Sequence, residues 1–257
     1  MKIWLQFVLW INRKLKALSI RLVVWTGKSK EFVHPKHLMR GDEFQWYLSS
    51  LKHSDVVLDL GCGTGMHAIH TAKRASRVKG VDYSKRNLAI AQSLAEAKGL
   101  TNISFRSASL EERIDEANQS YTVILALDIL EHLNNRDLFL SETYRILNTC
   151  GRLFLAVPNI DTKWKRLLKQ NDLFYYSDLD HKHEYSREEI VRLLEAHRFK
   201  ILKIDNTVFD TPWIGIIDFI GGISIDWYRR LTERRRSTVT NCESETTGFR
   251  IIAEKLS

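Results

Sequence analysis

Short apolar runs separated by amphipathic stretches recur along most of the chain. The run Val56–Leu60 is followed at once by a glycine-rich loop, and apolar residues return at helical spacing from Met66 onward. A buried strand that leads into a helix is the repeating unit of a parallel α/β sheet. The same pattern predicts strands at Arg77–Val81, Ile103–Phe105, Tyr121–Ala126, Arg152–Val157, Phe199–Ile204 and Phe249–Glu254, with helices at Arg136–Leu147 and Arg187–His197.

Residues 1–35 differ from this pattern and are predicted to form a separate helical segment ahead of a domain at 36–257. The apolar run Ile3–Ile11 is too short to span a bilayer, and basic residues follow it where a secreted protein would have a cleavage site. We therefore expect an amphipathic helix that lies in a membrane interface or, alternatively, packs on the domain's own core or on a second subunit. At helical spacing one stripe contains Trp4, Val8, Ile11, Leu15, Leu18, Leu22 and Trp25.

Composition narrows the class of partner. Hydrophobic residues make up 44% of the chain and charged residues 27%, as in a folded protein, and the formal net charge is +8. This charge suits nucleic acid or an anionic membrane, and much of it lies beside apolar stretches. The three cysteines are far apart in sequence and form no CxxC pair, which indicates a reducing, cytoplasmic compartment without a disulfide framework.

The loop Gly61–Gly65 carries the most specific chemical signal. Glycines at a turn from strand to helix allow positive φ values and let a ligand approach the backbone. The spelling DLGCGTG resembles motif I of class I S-adenosylmethionine-dependent methyltransferases, and the GxGxxG spacing of dinucleotide-binding loops is missing. The resemblance implies S-adenosylmethionine as the cofactor. The residues that it assigns to the methionine part of the site are Asp59, Gly61, Cys62, Gly63 and Gly65.

Asp82 follows the second strand about twenty residues after the loop, where a carboxylate accepts hydrogen bonds from both ribose hydroxyls. Tyr83 is predicted to lie against the adenine or, alternatively, to pack on the protein. Where the family often has an acidic residue near the adenine amine, this chain has Ser109, followed by Leu110. Adenine recognition is therefore assigned to these two residues and their backbone.

The segment Asp128–Leu133 follows the fourth strand and resembles motif IV of ubiquinone-pathway O-methyltransferases. Methyl transfer requires an aligned acceptor whose proton is removed, and an imidazole titrates near neutral pH. His132 is therefore the predicted base, or else a histidine that only caps or packs, and Asp128 is predicted to position the cofactor or the acceptor. The chain has neither the Asn/Asp-Pro-Pro-Tyr motif nor the Pro-Cys nucleophile of nucleic-acid methyltransferases.

Two long segments, 158–186 and 205–248, are predicted to leave the sheet at its cofactor edge and to overhang the site as lids. Within the second, residues 208–236 combine apolar and aromatic residues with an arginine cluster, as in an interfacial anchor. His181, His183 and Glu184 are too few and too closely spaced to indicate a metal site, so no metal is predicted. Candidate lid contacts to the acceptor are Trp164, Tyr175, Tyr176, His181 and His183.

Together these features predict an α/β, Rossmann-like sheet of seven strands in the order 3-2-1-4-5-7-6, with the last strand antiparallel. The expected activity is methyl transfer from S-adenosylmethionine to an oxygen of a hydrophobic or lipid-linked small molecule. The expected location is cytoplasmic, peripheral on the inner face of the membrane. Alternatives are a methyltransferase that acts on RNA or protein and a non-catalytic cofactor-binding assembly protein, and a homodimer remains an open arrangement.

Overall fold

The chain divides into two compact units. The computed structural model describes residues 1–30, 32–39 and 45–256. The unit that we call the sheet unit comprises Gln45–Pro158, Asp178–Asp205 and Phe249–Ser257. The unit that we call the helical unit comprises Met1–Phe44, Asn159–Ser177 and Asn206–Gly248.

The predicted sheet is confirmed. Within the described residues it has seven strands in the order β3-β2-β1-β4-β5-β7-β6. Pairings β1–β2, β1–β4, β2–β3 and β4–β5 are parallel. The strands are β1 (Val56–Leu60), β2 (Arg77–Asp82), β3 (Ile103–Ser107), β4 (Tyr121–Leu127), β5 (Leu147–Pro158), β6 (Phe199–Asn206) and β7 (Gly248–Lys255).

Eight α-helices lie in the described part of the chain, and each falls within one unit. The sheet unit contains α2 (Met66–Ala72), α3 (Lys85–Ala97), α4 (Arg136–Ile146) and α6 (Arg187–Ala196). The helical unit contains α1 (Lys2–Trp25), α5 (Lys163–Gln170), α7 (Ile214–Ile223) and α8 (Ile225–Asn241).

The sheet unit has a hydrophobic cluster on each face of its sheet, because successive side chains of a strand point to opposite faces. Leu58 and Leu60 of β1 belong to the cluster that includes Phe139 of α4. Val57 of β1 belongs to the other cluster, with Tyr47 and residues of α2. Burial on both faces explains why β1 is a continuous apolar run apart from Asp59.

Strand β5 begins earlier than the sequence pattern predicts. We expected a helix through Leu147 and a strand from Arg152, but α4 ends at Ile146 and β5 begins at Leu147. The pairing of β4 with β5 shifts register between Tyr121 and Val123, and Cys150 has a φ of 57°. The strand therefore continues through Gly151 by means of a bulge, although the sequence pattern predicted that this glycine precedes the strand.

In the helical unit, α1 packs closely against α7. The Asn12 side chain donates to the Pro212 carbonyl at 2.7 Å and accepts from the Gly215 amide at 3.0 Å. The helices approach so closely that a Cβ atom on Gly215 would lie 2.6 Å from the Asn12 Cα atom. Polar Asn12 and Ser19 therefore lie in the contact between the two helices.

This contact changes which face of α1 is buried. The helix buries Leu5, Val8, Ser19 and Val23. Of the predicted apolar stripe, Val8 is buried, whereas Trp4 and Trp25 at its ends are 50% and 69% exposed. The buried face of α1 is the one that α7 approaches at its glycines. The spacing of apolar residues along α1 does not indicate this approach. No helix in the described ranges is long and apolar enough to cross a membrane.

We predict that Gly215→Ala destabilises the helical unit by about 1–3 kcal/mol, because the new methyl group would overlap backbone atoms of α1. Helix propensity alone predicts the opposite sign, since alanine is favoured over glycine within a helix. Urea unfolding followed by circular dichroism, with proteolysis of α1 as a second readout, measures the change. Ile216→Ala, at an exposed position of the same helix, serves as the control. A more stable Gly215→Ala protein would contradict the prediction.

Candidate active site

The glycine loop joins the carboxyl ends of β1, β2 and β4. The amides of Gly61 and Cys62 both donate to the Val81 carbonyl, at 2.8 and 3.0 Å. Gly61 has a φ of 78°, and a Cβ atom there would lie 2.8 Å from the Ile129 side chain, which follows β4. Only glycine combines this backbone conformation with this close approach.

Asp82 is held by two backbone amides at the end of β2. One carboxylate oxygen accepts from the Gly63 amide at 2.9 Å, and the other accepts from the Ser84 amide at 2.8 Å. Gly63 has a φ of 53°, and apart from Gly63 and its two chain neighbours no described residue has an atom within 4 Å of the position that a Cβ would take there. Each carboxylate oxygen has a further lone pair, so Asp82 can still accept from a ligand's hydroxyl groups.

Asp59 is a buried carboxyl group beneath this loop. Its Oδ2 atom has no hydrogen-bond partner among the described residues. Burial raises the pKa of Asp59 to about 7, and the negative charge of Asp82 adds to the increase. Two carboxylates at one edge favour a cation over a phosphate group. S-adenosylmethionine carries a sulfonium and an ammonium group, so these residues fit the predicted cofactor.

The remaining predicted cofactor residues follow strands β1, β2 and β3, and their side chains differ in exposure. Cys62 is buried beside Gly80, and burial raises the pKa of its thiol. Tyr83 is 81% exposed, so its ring is accessible to a ligand. The Ser109 hydroxyl accepts from the Glu111 amide at 3.1 Å, whereas Leu110 packs in the core and has only its backbone to offer.

The side that is predicted to face the acceptor is built on the residues that follow β4. Asp128 has a φ of 54°, in the left-handed region that aspartate tolerates better than most residues, and its amide donates to the Ala156 carbonyl at 3.1 Å. A short 3-10 helix follows at Leu130–His132. In it Glu131 is buried, and the His132 ring lies 4.7 Å from the His181 ring, edge to face.

The two neighbouring histidines of the loop before α6 have different partners. The His181 Nδ1 atom bonds to buried Glu184 at 2.7 Å, whereas the His183 Nε2 atom bonds to Glu189 of α6 at 2.6 Å. Ser186 is the N-cap of α6 and accepts from the Glu189 amide at 3.2 Å. In a capping box the Glu189 carboxylate would accept from the Ser186 amide. Here it bonds to the His183 ring instead.

The aromatic lid residues of the sequence prediction lie in the helical unit. The Tyr175 and Tyr176 rings are 4.9 Å apart, and the Lys169 Nζ atom lies 5.4 Å from the Tyr175 ring centroid. Trp164 lies on α5 and is partly buried. His181 and His183 belong to the sheet unit. Contact of these five residues with an acceptor stays a prediction.

Sequence reasoning missed two residues of the sheet unit. Tyr47 is fully buried, and its hydroxyl lies 2.9 Å from the His67 Nδ1 atom in the first turn of α2. Burial raises the Tyr47 pKa, and the charge of Asp59 raises it further. Glu131 was included in the predicted motif Asp128–Leu133, but no role was predicted for its side chain. The aromatic pair Trp46–Tyr47 ahead of β1 was the available signal for the first.

Comparison with known proteins agrees with this geometry. A family profile described as "Methyltransferase domain" matches residues 51–203. A ubiquinone biosynthesis O-methyltransferase of Agrobacterium fabrum is 33% identical over 111 residues, which cover 43% of this chain and 44% of the relative. One from Pseudomonas savastanoi is 28% identical over 155 residues, covering 58% and 63%. The chain thus matches less than two thirds of the length of either relative.

A solved structure shares the fold. The geranyl diphosphate C-methyltransferase of Streptomyces coelicolor, in complex with Mg²⁺, geranyl diphosphate and S-adenosyl-L-homocysteine, superposes with a TM-score of 0.56 at 18% identity. The match covers 82% of this chain and 78% of that one. Because the family profile covers more than half of the sequence and the loop, the strand order and the acidic edge agree with it, the chain belongs to the methyltransferase domain family, among the class I S-adenosylmethionine-dependent methyltransferases.

Proposed function

We propose that the protein transfers a methyl group from S-adenosylmethionine to an oxygen of a hydrophobic or lipid-linked small molecule. The observation that carries the proposal is the match to relatives named ubiquinone biosynthesis O-methyltransferase, at 33% and 28% identity. It suggests an acceptor with a hydroxylated ring and an apolar tail. Since fold alone does not define a substrate, the acceptor is proposed only at this level.

The residues of the sheet unit divide the work in the proposed reaction. When bound, S-adenosylmethionine supplies a methyl group on a positively charged sulfur. Asp82 accepts from the ribose hydroxyls, and Asp59 compensates the positive charge of the methionine part. The segment after β4 contributes Asp128 to position the acceptor and His132 beside the hydroxyl group that loses its proton.

We expect the full chain to release S-adenosylhomocysteine when it is mixed with S-adenosylmethionine and a catechol that carries a prenyl tail, and to methylate a tail-less catechol less efficiently. Asp82→Asn keeps the side-chain shape but removes the charge, so cofactor affinity should fall on the order of 10- to 100-fold, as for the loss of a charge-assisted hydrogen bond. Mass spectrometry of the product and calorimetry of cofactor binding measure these effects.

Asp205→Asn, at an exposed position paired with Lys203 on β6, is the matched control and should leave cofactor affinity unchanged. Methyl transfer to RNA or to a protein, without transfer to the catechols, would identify the protein as a methyltransferase of macromolecules and contradict the proposal. Cofactor binding without transfer to any acceptor would instead favour an assembly protein.

The raised pKa of Asp59 predicts pH-dependent cofactor binding. Because the carboxyl group is neutral below its pKa of about 7, the negative charge that attracts the cationic cofactor is lost as pH falls through that value. We expect affinity to fall by up to about tenfold per pH unit between pH 7 and 5.5. Calorimetry with Asp59→Asn should give weaker binding that is flat over this interval. An equally steep dependence in Asp59→Asn would refute the assignment.

We further propose that the helical unit binds an anionic membrane surface, where a lipid-linked acceptor would be concentrated. Phe7 and Trp10 of α1 are exposed and stack on each other at 6.1 Å, and the Lys14 Nζ atom lies 5.9 Å from the Trp10 ring centroid. On α8, exposed Trp227 has the Arg230 guanidinium 5.2 Å from its ring centroid. Aromatic rings with adjacent cations are typical of the boundary between acyl chains and lipid phosphates.

Charge supports an anionic surface as the occupant. The first 30 residues contain no aspartate or glutamate. Each basic residue near an anionic membrane contributes about 1 kcal/mol of attraction, and salt screens it. The basic residues of this segment are Lys2, Arg13, Lys14, Lys16, Arg21, Lys28 and Lys30.

The full chain should therefore float with phosphatidylglycerol vesicles but not with neutral phosphatidylcholine vesicles, and high salt should weaken the association. Replacing Trp4 and Trp10 by serine should reduce flotation at least several-fold. Because both side chains are exposed, the replacements should leave the contact between α1 and α7 intact. Replacing Leu94 and Leu202, exposed apolar residues of the sheet unit, by serine is the control. Equal flotation of both double variants would refute this surface.

A further inference from the structure

The loop that follows β3 is attached to the cofactor edge of the sheet unit. The Ala108 amide donates to the Asp82 carbonyl at 3.1 Å. One residue further on, the Ser109 hydroxyl accepts from the Glu111 amide at 3.1 Å, which stabilises a local turn. The short stretch from Ala108 to Glu111 is therefore held close to the end of β2.

The Glu111 side chain binds the two residues that follow Asp128–Leu133, the segment predicted to face the acceptor. Its Oε1 atom accepts from the Asn134 backbone amide at 2.8 Å and from the Asn134 side chain at 3.0 Å. Its Oε2 atom accepts from the Asn135 amide at 2.9 Å. Hydrogen bonds to an ionised group are about twice as strong as neutral ones. The Asn134 amide is the main contact that holds the pKa of Glu111 below its ordinary value, so the side chain stays ionised.

The Glu111 carboxylate also lies at the beginning of α4. Asn135 is the N-cap of this helix, and a negative charge near a helix N-terminus is favoured by the helix dipole. Arg136, the first residue of α4, donates to the Leu133 carbonyl at 2.8 Å. Because Leu133 is the buried last residue of the acceptor segment, contacts at the start of α4 determine where that segment ends.

A second attachment holds the same loop to α4 independently of Glu111. The Ile114 amide donates to the buried Glu142 carboxylate at 3.0 Å, and the Arg145 guanidinium donates to the Ile114 carbonyl at 2.8 Å. Ile114 itself belongs to the hydrophobic core. Loss of the Glu111 contact would therefore leave the loop attached to the sheet unit, so its effect on function can be measured in a folded protein.

We propose that Glu111 is a positioning residue for methyl transfer, which couples the cofactor side of the site to the acceptor side. This role rests on the proposed function. Because Ser109 and Leu110 are predicted to lie at the adenine, the loop is restrained when the cofactor site is filled, and the Glu111 carboxylate then restrains the segment Asp128–Leu133. Methyl transfer requires an aligned acceptor oxygen, so a small displacement of this segment lowers the rate.

Glu111→Gln tests the coupling with little change of shape. The substitution replaces one carboxylate oxygen by an NH2 group, which cannot accept from the second backbone amide. We expect kcat for a prenylated catechol to fall about 10- to 100-fold, whereas the affinity for S-adenosylmethionine should stay unchanged. Asn134→Ala removes one of the three hydrogen bonds and should give an intermediate kcat.

Glu112→Gln, at the exposed neighbouring position, is the matched control and should keep the wild-type kcat. Calorimetry of cofactor binding gives the fraction of each variant that is folded. A kcat that falls only in proportion to the bound cofactor would overturn the positioning role, because it would indicate loss of folded protein. An unchanged kcat in Glu111→Gln, or an equal loss in Glu112→Gln, would also overturn it.

Hydrogen exchange provides a readout that requires no acceptor. In the wild-type protein, S-adenosylhomocysteine should slow amide exchange in residues 128–133 as well as in the glycine loop 61–65. In Glu111→Gln the protection of the loop should persist and that of residues 128–133 should be lost. Equal protection of residues 128–133 in both proteins would overturn the coupling. Coupling without methyl transfer to any catechol would support Glu111 and count against the proposed function, whereas transfer without coupling would leave the proposed function intact.

Discussion

The hydrogen bond from the Gly63 amide to the Asp82 carboxylate is the interaction on which the cofactor cleft depends. It joins the loop after β1 to the end of β2, and these are neighbouring strands of the sheet. The bond forms because Gly63 turns its amide with a positive φ, and because Gly61 allows Ile129 to lie against the loop from the end of β4. The ends of three strands are thereby joined at the edge of the sheet where ligands bind in open α/β folds.

The same edge concentrates negative charge in a chain whose net charge is positive. Asp59 is the penultimate residue of β1, Asp82 ends β2, and Asp128 and Glu131 follow β4. Of the four, Asp59, Asp82 and Glu131 are buried. Burial raises the pKa of Asp59, and the negative charge of Asp82 raises it further. A site of this kind is stabilised by cations, whereas the exposed basic residues of α1 and α8 have the opposite preference. The two units thus differ in the ligands that suit them.

The sequence predicted the sheet well because strand identity is a local property. Each central strand is buried on both faces, so apolar runs such as Val56–Leu60 and Tyr121–Ala126 can be recognised as strands without knowledge of their neighbours. Asp82 and the loop glycines were found for a related reason, since their roles follow from position at a strand end. Features that depend on distant partners were not found. The start of β5 depends on a bulge opposite β4, and the buried face of α1 depends on glycines about two hundred residues away.

The different partners of His181 and His183 also depend on residues that are distant in the sequence and could not be predicted from it. Nothing in their spacing distinguishes a histidine that contacts Glu131 from one that contacts α6. The distinction arises because the Glu131 carbonyl binds the amides of residues 182 and 183. These bonds use main-chain atoms, so substitutions in the loop can alter its side chains without moving its path. Insertions or deletions would shift the register and displace His181. Over evolutionary time this segment should therefore vary in composition more freely than in length.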